Sequence, residues 1–211
     1  MHPPLTLMIL AGAIALAAAP FVLRILIARV MGRPIGSRVA AGTPDEIHLL
    51  EAAASAWNRP DEVQKYELPL RTKGFQPVGV WRVKELPGVV VALMVDEPHA
   101  ILACVYEHPV AGIWCELVVR SNDGSVLCVS SSKPTGLDAM PGHTRLHRRG
   151  ASAEALLVAL AQRSESSPRI PIHAAQARER FEAAWAEHTA WRRTKGISTA
   201  EVVQVAARRI A

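Results

Sequence analysis

Aromatic side chains make up only 5% of the chain, and the three cysteines, Cys104, Cys115 and Cys128, form no C-x-x-C pair. An odd and widely spaced set argues against a disulfide framework or a thiolate zinc site. All three lie in apolar, strand-like runs, so they read as buried thiols packing like small hydrophobes, in keeping with a reducing compartment. Lysine is scarce as well, with 5 against 19 arginines, a bias that reads as composition rather than as a functional signal. No G-x-G-x-x-G, G-x-x-x-x-G-K-[ST], G-x-S-x-G or H-E-x-x-H occurs. The commonest signatures of nucleotide binding, acyl transfer and zinc hydrolysis are therefore missing. Neither a cofactor nor a metal site is expected.

Half of the 211 residues are hydrophobic and 20% are charged, the balance of a globular chain. The net charge of +5 is unevenly spread. Residues 1–42 carry four arginines and no acid, 43–150 carry 11 basic and 13 acidic groups, and 168–211 carry eight basic and four acidic groups. The basic character thus sits at the two ends. A nucleic-acid-binding domain would spread it over its body, so nucleic acid is not an expected partner.

From Leu5 to Leu23 the chain runs nineteen residues without a charge. As a helix that segment is roughly 28 Å long, close to the hydrocarbon core of a bilayer. Arg24, Arg29, Arg33 and Arg38 all follow it and none precedes it. The expectation is a single-pass anchor over 1–28, N-terminus outside and the remainder cytoplasmic, with the four arginines near lipid headgroups. A cleaved signal peptide, with export of the rest, is the competing reading. It fits less well, because the segment lacks a basic start and is longer than an ordinary signal core.

A linker is expected over 29–42, an α+β domain over 43–167, and a helical hairpin over 168–211 packed on that domain. Thr43-Pro44-Asp45-Glu46 has the form of a capping box, and Ile47, Leu50, Ala54 and Trp57 would share one helical face, with Asn58 and Pro60 ending the helix. Apolar runs at 78–83, 89–95, 101–106, 113–119 and 126–129 read as strands joined by short turns. Such turns impose antiparallel neighbours, hence a meander of about five strands with helices against one face. A short strand at 143–148 follows a polar loop at 130–142, which is the expected contact surface along with the open sheet face. Ser152 caps a helix over 153–163 with Leu156, Leu157 and Leu160 inward. Further helices are expected over 173–194 and 199–210, the last opened by a capping box from Ser198 to Glu201.

Two polar groupings could carry chemistry. Glu107 and His108 end one strand and Glu116 sits on the next. Two carboxylates brought close there could act as acid and base. The structural alternative has Glu107 and His108 closing the hairpin and Glu116 facing solvent beside Trp114. His143, Arg145 and His147 share a strand face, and with Arg148 and Arg149 they could accept an anion. Arg145 between the histidines opposes a metal there. The stretch Trp191 to Val203 resembles the turn of a helix-turn-helix. Its second helix opens Thr199-Ala200-Glu201-Val202, which offers little to base edges, so a plain capped hairpin is the better reading. The expected function is a membrane-tethered cytoplasmic binding or interaction module with the bilayer and an unidentified protein as partners. The alternative is a membrane-anchored hydrolase using Glu107, His108, Glu116 or His143.

Overall fold

A computed structural model describes residues 42–163 and 167–208. The anchor expected over 1–28, and all but the last residue of the 29–42 linker, lie outside them. Among the described residues no helix is long and apolar enough to cross a membrane.

The described chain forms two compact units. The larger, Pro44–Pro134 and Ala139–Trp191, is built on a seven-stranded sheet whose strands lie in chain order. They are β1 (Leu49–Glu51), β2 (Gln76–Val83), β3 (Val90–Asp96), β4 (Ile101–His108), β5 (Gly112–Arg120), β6 (Val126–Ser130) and β7 (His143–His147). Every neighbouring pair is antiparallel except β6 and β7, which are parallel. The architecture is α+β, as the sequence suggests, but the sheet is larger and mixed. The segment between Ser130 and His143 is the reason: at about a dozen residues it is long enough to carry the chain back to the same end of the sheet.

Helices cover both faces rather than the one expected. On the first face α1 (Pro60–Thr72) and α2 (Ala153–Arg163) bury Val63, Leu70, Leu156 and Leu160 against Met94, Ala103, Val105, Leu117 and Val129. On the second, α3 (Ala174–Lys195) brings Ala177, Phe181 and Trp185 over Trp81, Val91, Leu93, Val95 and Cys104. Both alternating sets of side chains on β3 are therefore covered, and all seven of its residues are buried. That is why this strand reads as a continuous apolar run instead of an alternating one.

Thr43 to Trp57 does not form the helix its capping box suggests. Ile47 and Leu49 are buried while His48 and Leu50 are exposed, a period of two, and Leu49–Glu51 pairs with β2. The helical face of Ile47, Leu50, Ala54 and Trp57 would have put the exposed Leu50 inside. Side chains hold this edge: Glu182 accepts the Leu49 N–H at 2.7 Å, and Glu85 accepts the His48 N–H at 2.8 Å. The helix comes later, with Pro60 at its first turn followed by Asp61 and Glu62. Proline at that position starts a helix, because its missing N–H is one of the unpaired amides anyway.

The start of α3 is fixed from a distance. Glu97, in the β3–β4 turn, accepts the Ala174 N–H at 2.8 Å and lies 3.2 Å from His173 Nδ1. Those bonds hold its carboxyl below its ordinary value. α2 is capped as expected, by Ser152 Oγ accepting the Ala155 N–H at 3.3 Å.

Among the described residues the smaller unit contains Thr135–Asp138 and 192–208, including α4 (Thr199–Arg208). The capping box of α4 is formed: Glu201 N–H donates to Ser198 Oγ at 3.2 Å, and the Glu201 carboxylate accepts the Ser198 N–H at 2.9 Å. Gly136 packs on the α4 backbone. A Cβ there would meet Val205 N at 3.1 Å, and its φ of +86° is one that glycine adopts without strain. Part of the 130–142 loop, expected to be a free contact surface, is thus already engaged within the chain.

Candidate functional site

The β4–β5 hairpin separates the two carboxylates the sequence pairs. Glu107 is opposite Ile113 and Glu116 is opposite Cys104. Residues facing the same way as Glu107 on β5 are therefore 113, 115 and 117, and Glu116 projects from the other side of the sheet. No acid–base pair is formed by them.

Glu107, 3% exposed, lies on the α1/α2 face. One carboxylate oxygen accepts the Asn58 N–H at 2.8 Å and the other lies 3.6 Å from Arg59 Nε. It anchors the segment that leads into α1. His108 Nδ1 accepts the N–H groups of Val110 and Ala111, both at 3.0 Å. Accepting at Nδ1 places the proton of a neutral ring on Nε2. His108 closes the hairpin, as the structural alternative has it, while the Glu107 side chain ties the hairpin to the segment before α1. They border an open depression of about 370 Å³ that Arg59, Val110 and Gly112 also line.

Glu116 is 7% exposed, not solvent-facing. Tyr106 Oη donates to it at 3.5 Å, and Arg145 Nη1 is 3.8 Å from its other oxygen. Both contacts are loose for hydrogen bonds. Tyr106 stacks on Trp114 with ring centroids 4.6 Å apart. Glu116 is the main reason that Arg145 holds its proton even more firmly than usual. The same carboxylate, after burial itself, pushes the Cys104 and Cys128 thiols up, so neither is a ready nucleophile.

His143 and His147 flank Arg145 on this face. Burial pulls the His143 imidazole below its ordinary value, against the attraction of Glu187. His147 Nδ1 donates to the Ser132 carbonyl at 3.2 Å and lies 3.4 Å from Ser132 Oγ. Bonded to a carbonyl, that nitrogen carries a proton and is not a base for the hydroxyl. The four candidate catalytic residues thus occupy three places: Glu107 and His108 at the hairpin end, Glu116 under Arg145, and His143 toward Glu187. Among the described residues no three His, Cys, Asp or Glu side chains gather as a metal site. Arg24, Arg29, Arg33 and Arg38 lie outside the described residues.

Of the expected anion-binding group, Arg145 is engaged by Glu116 and His147 by Ser132. Arg148 and Arg149 are exposed just beyond β7. Lys133, which belongs to no motif in the sequence, is exposed just beyond β6. The parallel pairing of β6 and β7 sets the segment that carries it beside the one that carries the two arginines, and that pairing has no local sequence signal. No known protein family, curated protein or solved structure matches the chain.

Proposed function

We propose that the chain is a membrane-tethered binding module whose soluble part lies on the cytoplasmic side. The observation that carries this reading is the nineteen-residue uncharged run from Leu5 to Leu23, with Arg24, Arg29, Arg33 and Arg38 on one flank only. The geometry of the sheet supports binding over catalysis. Glu107 and His108 are committed to backbone amides, and Glu116, on the opposite face of the sheet from Glu107, faces Arg145. A hydrolase would need these groups within reach of one substrate atom.

Sidedness provides the test. Protease added to inside-out membrane vesicles is expected to digest residues beyond 42, while protease outside intact spheroplasts leaves them whole. Digestion from the outside alone would overturn the cytoplasmic placement.

A further inference from the structure

The corner where β6 and β7 end points to the ligand class. Among the described residues these are the only parallel neighbours in the sheet, so the segments leaving their carboxyl ends emerge side by side. Two backbone hydrogen bonds lock them together: Arg148 N–H donates to the Ser130 carbonyl at 2.7 Å, and Gly150 N–H to the Ser131 carbonyl at 2.9 Å. Lys133 follows the first strand, and Arg148 and Arg149 follow the second. All three are exposed. None has a carboxylate partner among the described residues; Glu116, the acid on this part of the sheet, is turned to Arg145. Ser132 adds a half-buried hydroxyl beside them, 2.7 Å from Ser130 Oγ.

Three like charges held at one corner repel one another, and among the described residues no carboxylate pairs with them. Arginine forks match phosphate oxygens in pairs, and a lysine ammonium adds a compact point charge. We infer that this corner binds a phosphate group, carried by a lipid headgroup or by a free phosphate anion. The inference rests on the reading of the chain as a tethered binding module and names what that module holds.

The full chain is reconstituted in nanodiscs of phosphatidylcholine alone, or of phosphatidylcholine with one third phosphatidylserine, and amide exchange is followed at 131–133 and 148–150. Inorganic phosphate is titrated into the phosphatidylcholine discs as a separate arm. Slowed exchange in the phosphatidylserine discs assigns the corner to headgroups. Slowed exchange with inorganic phosphate assigns it to a free anion. The triple variant K133A/R148A/R149A is expected to weaken either effect by roughly a hundredfold. Its melting temperature should equal or exceed that of the parent, since mutual repulsion is removed. No slowing in either arm, or slowing that the triple variant retains, overturns the inference. Failure of the chain to enter the discs overturns the tether instead, and the phosphate arm is then read on the chain in buffer.

Discussion

Replacing Glu201 with alanine is expected to cost the smaller unit about 3–5 kcal/mol, the range for removing one partner of a buried ion pair. Glu201 is 1% exposed, yet its carboxylate meets four donors. Arg192 Nη1 is at 2.7 Å, Lys195 Nζ at 3.1 Å, and the N–H groups of Asp138 and Ser198 both at 2.9 Å. Removal would take from Arg192, itself 8% exposed, the carboxylate 2.7 Å from its Nη1, and would free the Asp138 amide. Burial alone would raise the Glu201 carboxyl. The Ser198 and Asp138 N–H groups, with Lys195 and Arg192, outweigh it and hold the pKa at about 2, against an ordinary 4.5. A carboxylate lowered in this way contributes its stability above the ordinary value and loses it as pH falls. The gap between parent and Glu201→Gln should therefore be full at neutral pH, narrow below 4.5 and vanish near 2. Urea unfolding across pH, with amide exchange at Asp138, measures it. A loss under about 1 kcal/mol, the worth of an exposed pair, would show that the network is not buried.

Leu117→Ala is expected to destabilise the larger unit by about 2–5 kcal/mol, toward the upper end of that range. Leu117 is 0% exposed on β5, with Ala103 opposite it on β4 and Val129 opposite it on β6. Both neighbours are also fully buried and held by ladder hydrogen bonds, so the surroundings have little freedom to collapse into the gap. The melting temperature should fall by on the order of 10 °C. Val158→Ala, on α2 at 56% exposure, is the matched control and should stay within about 0.5 kcal/mol of the parent. Equal effects at the two sites would mean that the sheet face under α1 and α2 is not the tight core described.

Much of the fold is legible in the residues, because strand periodicity and caps are local. The runs at 89–95 and 101–106 lie within a residue or two of β3 and β4, and the Ser198–Glu201 box forms as spaced. The failures come from long-range choices. Thr43-Pro44-Asp45-Glu46 has the letters of a cap, but pairing with β2 and the carboxylates of Glu85 and Glu182 draw the chain into an edge strand. Pro60 both ends and begins helices, and its acidic followers Asp61 and Glu62 were the sign that it begins one here.

The candidate site was less legible, for a reason of parity. Glu107 and Glu116 look close in the chain, yet the register of the hairpin puts odd and even residues on opposite faces. Capping reveals that Glu201 has a local partner in Ser198. It cannot reveal Asp138, whose amide comes from 63 residues away. The segments that carry Lys133 and Arg148-Arg149 leave the sheet side by side only because β6 and β7 run parallel.

The proposed tether requires that Leu5 to Leu23 span a bilayer. Membranes containing the full chain are washed with alkaline carbonate, and the N-terminus of the retained chain is read by mass spectrometry. A tethered chain stays in the membrane, leaves only with detergent and keeps Leu5 to Leu23. Release by the wash, or a mature chain beginning near residue 20, would contradict it.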